Sequence, residues 1–458
     1  MTAKSIKWIH MVGIAGAGMS GIAKVLLEQG IKVSGSDLQF SSTMENLRQL
    51  GISIYQGHSA SNMEEGIDLV VYSSAVPLGN EEIKWAVKNH IPVLKRGQML
   101  AQLVNDKRGI AIAGAHGKTT TTAMVYTVLK ECGVNPSFIV GGQLQGTDIN
   151  AHLGIGDFFV VEADESDASF LELKPNIAVI TNIEDDHLDF YKSVDKLKDA
   201  FSQFVNQVDH QGFALLYGGD EYNQFIKSNT DSRVILYGED EDFDYYLKDW
   251  VTTGTGSHFE VYHQKKHLGL AEISVPGKHN ALNALAAIAI AWESKLPFAM
   301  IIAGIKKYGG TNRRFEVIGA NDKVIIVDDY AHHPTEIKAT IEAARNYHPS
   351  GRIIVVFQPH RYSRTQLLGK QLGEAFNKVD KVIISEIYAA GEKPLAGITG
   401  EIVYNAAMNK GLPAHYIPAV TDIESYLMEN MQDNDLIITM GAGDIWKLGP
   451  DLLHKINC

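Results

Sequence analysis

The sequence predicts an α/β fold of three domains, each built around a largely parallel sheet. Its 458 residues suit roughly three domains, since a domain usually takes about 100–200 residues. Short apolar segments rich in β-branched residues alternate with stretches of helical periodicity, which is typical of parallel sheets covered by helices. Two glycine-rich segments each follow a predicted strand and precede a predicted helix. We expect domains at 1–107, 108–315 and 316–458.

The composition is that of an ordinary globular protein, with 45% hydrophobic and 21% charged residues. The net charge of −13 argues against nucleic acid as the main partner, because a phosphate backbone requires a basic surface. The two cysteines, Cys132 and Cys458, exclude a disulfide framework and fit a reducing compartment. No apolar run reaches the ~18 residues of a membrane span, and no signal peptide is evident. We therefore expect a cytoplasmic monomer or homodimer with small-molecule partners and no membrane partner.

The first predicted domain begins with a strand, "KWIHMVGI", a glycine loop and a helix. The loop contains a literal G-x-G-x-x-G formed by Gly16, Gly18 and Gly21. The next strand ends at Asp37, near the place where dinucleotide-binding folds carry an acidic residue for a ribose. These features predict a Rossmann-like domain that binds a phosphorylated nucleoside. Ser73 ends a further strand, where it could contact the ligand or be an ordinary turn serine.

The central domain is organised around a second glycine loop at residues 114–120, between the strand "RGIAIA" and a helix. Its glycines allow backbone N–H groups to face phosphate oxygens, Lys118 adds a positive charge, and the Thr119 hydroxyl can hold Mg²⁺. Ile112 stands where the usual phosphate-loop pattern has its first glycine. We predict a nucleotide phosphate site, with a simple glycine-rich turn as the alternative. The loop comprises Gly114, Ala115, His116, Gly117, Lys118, Thr119 and Thr120.

Acidic and amphoteric side chains end two further predicted strands of this domain. "DFFVVEADESD" delivers Glu162, and "PNIAVITNIEDDHLDFY" delivers Asp185, Asp186 and His187. Both strands should lie beside the strand of the phosphate loop, which would gather these side chains at one sheet edge. Because Mg²⁺ prefers oxygen ligands, we predict Glu162 as a metal contact, and His187 as a second one that would also suit Mn²⁺. For the two aspartates, a helix cap or solvated turn is the simpler interpretation.

Residues 210–275 contain short strands and turns, which we expect to form an antiparallel insertion. A long helix then begins in "PGKHNALNALAA", with Asn280 and Asn283 on one face. The two amides could hydrogen-bond a base or a phosphate, whereas capping would explain Asn280 alone. The segment "GGTNRRFEVIG" that follows is interpreted as a linker, in which Arg313 or Arg314 could reach a phosphate.

The last third again alternates strands with helices, which predicts a parallel sheet covered on both faces. Unusual residues follow its strands, including Asp329 and His332 in one segment and the His360–Arg364 cluster in another. Ligands bind outside the carboxyl ends of such strands. Arg361 and Arg364 suit a carboxylate or phosphate, because a planar guanidinium offers two parallel hydrogen bonds.

Taken together, these motifs resemble the Mur ligases of peptidoglycan synthesis, in the family's order and over nearly the whole chain. Two positions depart from the family pattern: Ala115 is commonly Thr and Ala331 is often Gly, and we expect little effect from either small residue. The segments that carry the resemblance are "GIAGAGMSGIA", "VSGSD", "VVYSSAV", "GAHGKTTTT", "VVEADESDASFL", "TNIEDDHLDFY", "PGKHNALNALAA", "NRRFE", "DDYAHHPTEI", "FQPHRYSRT", "YAAGEKP" and "MGAGDI".

The resemblance implies an ATP-dependent ligase that joins L-alanine to UDP-N-acetylmuramate through an acyl phosphate, with Mg²⁺ as cofactor. It also implies that the first domain holds the UDP part of a UDP-sugar and not NAD. The implied UDP-sugar residues are Gly16, Gly18, Gly21, Asp37 and Ser73. The implied ATP residues are the loop 114–120 with Asn283, Arg314 and Asp329, and the implied metal ligands are Thr119, Glu162 and His187. The implied catalytic set is Lys118, Glu162, His187, Asn280, Asn283, Arg314 and Asp329, and His332, Arg361 and Arg364 would place the alanine.

Three alternatives remain open from the sequence. The first is a recycling ligase that adds a whole tripeptide to the same UDP-sugar, although "VVYSSAV" and "DDYAHHPTEI" favour the alanine enzyme. The second is an NAD(P)-dependent oxidoreductase, which the first glycine motif alone would suggest. The third is a non-catalytic nucleotide-binding protein, which the full set of acidic and basic residues disfavours.

Overall fold

The computed structural model describes residues 6–147, 149–185, 187–321 and 323–457, so that Asp186 and Cys458 lie outside the described residues. The chain divides into two compact units. The first comprises Met1–Lys248, Glu260–Leu270 and Leu282–Lys307, and the second comprises Asp249–Phe259, Ala271–Ala281 and Tyr308–Cys458. Across the described ranges, no helix combines the length and the apolar character that crossing a bilayer requires.

The first sheet contains five strands, all of them parallel, in the order β3-β2-β1-β4-β5. Alternate residues of the central strand face two different cores. Ile9 and Met11 pack with Ile22 of the first helix, whereas Val12 packs with Ile83 on the opposite face. The elements of this region are β1 (Trp8–Val12), α1 (Ala17–Glu28), β2 (Lys32–Asp37), α2 (Ser42–Gln49), β3 (Ser53–Gln56), β4 (Leu69–Tyr72), α3 (Glu81–Lys88), β5 (Val93–Lys95) and α4 (Arg96–Val104).

The second sheet has ten strands in the order β15-β14-β13-β12-β11-β10-β6-β9-β7-β8. As predicted, the strand before the phosphate loop lies between the two strands that end in acidic residues, and both pairings are parallel. The elements are β6 (Arg108–Ala113), α5 (Lys118–Glu131), β7 (Ser137–Ile139), β8 (Ala151–His152), β9 (Phe158–Glu162), β10 (Ile177–Ile180), α6 (Leu188–Tyr191), α7 (Val194–Asn206), β11 (Phe213–Tyr217), α8 (Glu221–Ser228), β12 (Val234–Gly238), β13 (Tyr245–Thr253), β14 (Gly256–His263), β15 (Lys266–Ile273), α9 (Lys278–Glu293) and α10 (Phe298–Lys307).

The expected antiparallel insertion at 210–275 is wrong for its first strands. Strand β11 pairs in parallel with β10, β12 pairs in parallel with β11, and β13 begins parallel to β12. Helices α7 and α8 provide the crossovers that parallel neighbours require. Most residues of β11 and β12 are buried. The two strands therefore extend the sheet that contains β6 and do not form a separate layer.

The third sheet has six strands in the order β16-β17-β21-β18-β19-β20. All neighbours are parallel except β16, which runs antiparallel at the edge and lies in a segment interpreted from sequence as a linker. Separate cores lie on the two faces, as predicted: Val327 belongs to one and Ile326 to the other. The elements are β16 (Glu316–Ala320), β17 (Val324–Asp329), α11 (Pro334–Tyr347), β18 (Arg352–Phe357), α12 (Tyr362–Gly373), β19 (Lys381–Ile384), α13 (Glu401–Asn409), β20 (Ala414–Tyr416), α14 (Val420–Asn430), β21 (Asp435–Met440) and α15 (Leu448–Asn457).

Candidate active site

The turn between β1 and α1 depends on Gly13, a residue outside the G-x-G-x-x-G motif. Its φ is +80°, and a Cβ added there would lie 3.0 Å from Cβ of Ser73. Gly16 is the N-cap of α1, and Asp37 accepts the backbone N–H of Ala15 through Oδ2 at 3.0 Å. The structure therefore brings Gly16, Asp37 and Ser73 together at the carboxyl edge of the first sheet, where such folds bind ligands.

Gly18 and Gly21, the other two glycines of the first motif, lie within α1 and not in the loop. A Cβ on Gly21 would lie 2.8 Å from Cγ2 of Ile139 in β7, so this glycine permits close packing of α1. A Cβ on Gly18 would lie 3.0 Å from Nη1 of Arg96. In this motif, Gly16 lies at the turn, and Gly18 and Gly21 allow neighbouring side chains to pack closely against α1. A diphosphate contact at Gly21 stays a prediction.

The second glycine loop leans against the end of β10. Gly114 has a φ of +127°, and a Cβ there would lie 2.3 Å from Oγ1 of Thr181. Asn182 holds the next two residues: its carbonyl accepts the N–H of Ala115 at 3.0 Å, and its Oδ1 accepts the N–H of His116 at 2.9 Å. These bonds fix the backbone of the loop before the helix begins. They do not use the N–H groups of the first turn of α5.

Gly117 completes the loop as the left-handed N-cap of α5, with a φ of +82°. A Cβ on Gly117 would lie 2.8 Å from Oδ1 of Asn283, so the predicted nucleotide residue of α9 is brought to the loop. The first turn of α5 carries Thr119, which is half-buried, and Thr120, which is buried. Its backbone N–H groups and dipole favour an anion here.

Asn280, the other amide selected on α9, has a local bond. Its Nδ2 donates to the carbonyl of Pro276 at 2.7 Å. The bond is not a helix cap, because a capping side chain accepts a backbone N–H and this amide donates, so the capping interpretation stays a prediction.

The Lys118 ammonium lies among carboxylates. Its Nζ donates to Oε1 of Glu165 at 2.7 Å and to the carbonyl of Ala115 at 3.3 Å, and it also contacts the carbonyl of Gly114. Burial by itself would lower the pKa of Lys118, but Glu165, with smaller contributions from Asp164 and Glu162, raises it. The lysine is therefore a fixed positive charge at the place where a phosphate would approach the loop.

The predicted metal ligands flank this lysine. Glu162 accepts the N–H of Gly141 through Oε2 at 3.0 Å. His187 has a left-handed φ of +57°, and its Nε2 lies 3.9 Å from Oε1 of Glu165. Carboxylate and hydroxyl oxygens suit Mg²⁺, and an imidazole beside them suits Mn²⁺ as well, so the chemistry of these side chains fits a divalent cation. Binding of a cation by Thr119, Glu162 and His187 stays a prediction.

The motifs do not single out Glu165, although its segment, "EADESD", is acidic. Its side chain is only 4% exposed, and it contacts both Lys118 and His187. The sequence signal for Glu165 is that it is an additional acidic residue three positions after Glu162. Sequence alone could not show which of these carboxylates faces the lysine, because that contact spans 47 positions.

In the second unit, Asp329 organises the backbone around the two arginines. Its Oδ2 accepts the N–H of Phe315 and its Oδ1 accepts the N–H of Ala331, both at 2.8 Å. Burial raises the pKa of Asp329 to about 6, against the opposing charge of Arg314. Both carboxylate oxygens thus already accept backbone bonds, and the ribose contact stays a prediction.

The two arginines of this segment have different partners. Arg313 donates through Nε to Oδ2 of Asp328 at 3.1 Å and through Nη2 to the carbonyl of Gly441 at 2.6 Å. Arg314 donates more weakly, through Nη1 to Oε1 of Glu336 at 3.4 Å. Arg313 is therefore fixed to the sheet, and contact of Arg314 with a ligand stays a prediction.

His332 and the basic cluster of α12 come together in the second unit. The rings of His332 and His360 have centroids 6.0 Å apart, and Nη1 of Arg364 lies 3.3 Å from Nδ1 of His360. Arg361 is exposed, and its φ of +69° with ψ of 139° is a backbone conformation that residues other than glycine rarely adopt. Such strain is concentrated at functional sites, and it supports the predicted anion clamp.

Three Mur ligase family models match successive parts of the chain. Residues 8–108 match "Mur ligase family, catalytic domain", residues 112–291 match "Mur ligase middle domain", and residues 313–443 match "Mur ligase, glutamate ligase domain". A UDP-N-acetylmuramate–L-alanine ligase from Syntrophomonas wolfei subsp. wolfei is 61% identical over 453 residues, which are 98% of this chain and 97% of that relative. The chain belongs to the Mur ligase family. The resemblance predicted from the motifs is confirmed.

Solved structures of Mur ligases agree with this assignment. UDP-N-acetylmuramate-alanine ligase MurC from Thermotoga maritima has a TM-score of 0.85 and 29% identity, covering 98% of this chain and 99% of that one. The murein peptide ligase mpl from Psychrobacter arcticus 273-4 has a TM-score of 0.73 and 24% identity, covering 98% of each chain, and so shows the fold alone. The predicted α/β fold class is thereby confirmed for this Mur ligase.

Acid should destabilise this Mur ligase through His332, whose side chain is 18% exposed. Burial lowers the pKa of His332 to about 4, below its ordinary value of 6.5. The unfolded chain therefore binds more protons between pH 6.5 and 4, so the stability from neutral His332 is present above pH 6.5 and is lost as pH falls toward 4. We expect a loss of about 2 kcal/mol from this group between pH 7 and pH 5.

Urea unfolding at the two pH values would measure this loss in wild type and in His332→Asn, whose amide can still donate to the carbonyl of Tyr330. The variant should lose less stability on acidification than wild type. His210→Asn, at a side chain that is 84% exposed, serves as the control and should follow wild type. An identical acid loss in wild type and His332→Asn would contradict the assignment.

Proposed function

We propose that this protein is an ATP-dependent ligase that joins L-alanine to UDP-N-acetylmuramate, releasing ADP and phosphate during synthesis of the peptidoglycan precursor. The carrying observation is Lys118, the first residue of α5, which follows two positive-φ glycines, Gly114 and Gly117, and lies beside three carboxylates. The identity of the two substrates rests on the 61% identical relative that bears the ligase name.

A carboxylate is a poor electrophile, so the lactyl carboxylate must be activated before an amine can attack it. Transfer of the γ-phosphoryl group of ATP produces an acyl phosphate, and attack by the amino group of L-alanine then expels phosphate and forms the amide. Such a reaction depends on positioning and on neutralisation of charge. Lys118 and the loop amides would supply both at the phosphates.

The remaining roles follow the sequence prediction and are part of the proposal. Gly16, Gly18, Gly21, Asp37 and Ser73 would hold the UDP-sugar, and Asn283, Arg314 and Asp329 would hold ATP together with the loop 114–120. His332, Arg361 and Arg364 would place L-alanine, with an arginine on its carboxylate. The domain division at 107/108 and 315/316, a cytoplasmic location and a monomeric or homodimeric state belong to the same proposal.

Mur ligases depend on ATP, and the finer proposal concerns the cation. Thr119, Glu162 and His187 would hold Mg²⁺ or Mn²⁺, which would neutralise charge on the phosphates and the substrate carboxylate. Glu165 supports this arrangement by contacting both Lys118 and His187. We expect it to position these two side chains.

Release of phosphate from UDP-N-acetylmuramate, ATP and Mg²⁺, with and without L-alanine, tests the function. We expect turnover to depend on L-alanine, because the amine is needed to discharge the acyl phosphate. A parallel reaction with the L-alanyl-γ-D-glutamyl-meso-diaminopimelate tripeptide tests the recycling alternative. Faster turnover with the tripeptide would overturn the alanine assignment, and nicotinamide-dependent turnover without ATP would overturn the ligase class.

A further inference from the structure

Arg96 lies at the ligand edge of the first sheet, yet neither the motifs nor the proposed mechanism uses it. It is the first residue of α4 and follows β5 directly. Because β5 is parallel to β4 and β1, its carboxyl end lies at the same edge as the glycine turn. The Arg96 side chain is 15% exposed and extends over the first turn of α1, where Nη1 lies 3.0 Å from the Cβ position of Gly18.

One side of the Arg96 guanidinium is held by the central region of the chain. Its Nη2 donates to Oδ2 of Asp164 at 2.8 Å and to Oγ of Ser169 at 3.2 Å, and Oδ2 of Asp167 lies 3.6 Å away. Within the described ranges, all hydrogen bonds of this guanidinium run through Nη2. Nη1, which faces α1, and Nε therefore make no hydrogen bond within these ranges.

Both side chains of the Arg96–Asp164 pair are ionised. Although burial opposes ionisation of Asp164, the Arg96 guanidinium, with help from the Ser166 hydroxyl and Lys118, lowers the pKa of this carboxyl. Ser166 donates to Oδ1 of Asp164 through both its N–H and its hydroxyl. The carboxylate is thus fixed by Ser166 on one oxygen and fixes Arg96 with the other.

The end of α1 that Arg96 approaches is itself suited to an anion. Its N-cap is Gly16, which has no side chain to accept the first N–H groups, and its first turn has no acidic residue. The positive end of the helix dipole and the guanidinium therefore act on the same space. A planar guanidinium with two free N–H directions matches paired phosphate oxygens.

We propose that Arg96 binds the diphosphate of the nucleotide-sugar through Nη1 and Nε, and that Asp164 and Ser169 hold Nη2 so that the guanidinium is oriented before the ligand arrives. Arg96 is a substrate-binding residue, and Asp164 is a positioning residue that acts through it. The inference rests on the proposed function, since it deepens the UDP-sugar site. Preorientation favours binding because less side-chain freedom is lost.

Calorimetric titration of the full-length protein with UDP and with UDP-N-acetylmuramate tests the proposal. Arg96→Met should weaken both ligands by about 10- to 100-fold, the range for loss of charged hydrogen bonds. Arg96→Lys, which keeps the charge but not the fork, should recover part of the loss. In steady-state assays, Arg96→Lys should raise KM for UDP-N-acetylmuramate far more than it lowers kcat.

Because Arg96→Met leaves Asp164 without its cation, the double variant Arg96→Met/Asp164→Asn separates binding from folding. It should bind UDP as weakly as Arg96→Met while retaining the wild-type affinity for ADP. Asp164→Asn alone should weaken UDP by a smaller factor than Arg96→Met, since the arginine remains. Arg48→Met, on the exposed surface of α2, is the matched control and should bind both ligands as wild type does.

Three outcomes separate the possibilities. Unchanged affinity of Arg96→Met for UDP and UDP-N-acetylmuramate would overturn the proposal. Weaker UDP-N-acetylmuramate with unchanged UDP would also overturn it, because the arginine would then bind the lactyl carboxylate. If wild type binds neither ligand, the proposed function fails, whereas loss confined to the Arg96 variants leaves that function intact.

Discussion

Replacement of Lys118 by alanine should lower alanine-dependent phosphate release by about 10³-fold or more, since one cationic side chain acting on a transferring phosphoryl group is worth about 10³- to 10⁵-fold in turnover. In the proposed mechanism, the lysine is the positive charge held for the β- and γ-phosphates, and the helix dipole alone is only a partial charge. Phosphate release at saturating ATP, UDP-N-acetylmuramate and L-alanine measures the effect. Turnover equal to wild type would refute the role given to the loop.

The same substitution leaves Glu165, which is 4% exposed, without its cation, so a loss of folding must be separated from a loss of chemistry. The double variant Lys118→Ala/Glu165→Gln removes the unpaired charge. We expect it to recover most of the thermal stability lost in Lys118→Ala and none of the turnover. Lys130→Ala, at an exposed position in the last turn of α5, should retain full activity.

Replacement of Gly114 by alanine should cost at least about 100-fold in turnover, on the scale expected when catalytic groups are displaced by about 1 Å. Its φ of +127° is rarely adopted by residues with a side chain, and the new Cβ would lie 2.3 Å from Oγ1 of Thr181 and 2.7 Å from the carbonyl oxygen of Asn182. Since Thr181 is buried and both neighbours directly follow β10, the loop must move. Kinetic assays should show the loss in kcat/KM for ATP.

Gly133→Ala is the matched control for Gly114→Ala. Gly133 follows the other end of α5, and its φ is also positive, at +75°, but an added Cβ meets nothing within 4 Å. This variant should lose only about 1 kcal/mol of stability and keep wild-type turnover. Similar kinetic losses in both variants would mean that positive φ, and not contact with Thr181, explains the Gly114 effect.

Motifs and periodicity predicted much of this protein because their physical causes are local. The phosphate loop combines glycines that tolerate positive φ with a lysine and a threonine at a helix start, and all of these requirements lie within seven residues, 114–120. The parallel placement of β9 and β10 beside β6 followed from apolar segments that end in polar residues. The family also followed from the order of such motifs, and the relatives confirmed it.

By itself, the sequence determined the α/β class, the glycine loops and the set of residues from which a site could be built. Only the tertiary structure decided that β11 and β12 extend the sheet in parallel, that Glu165 is the carboxylate on Lys118, and that Arg96 reaches both Gly18 and Asp164. These pairings join residues tens of positions apart. Neither propensity nor motif spacing encodes such contacts. The contacts depend on the order of the strands in each sheet and on how the helices pack against them.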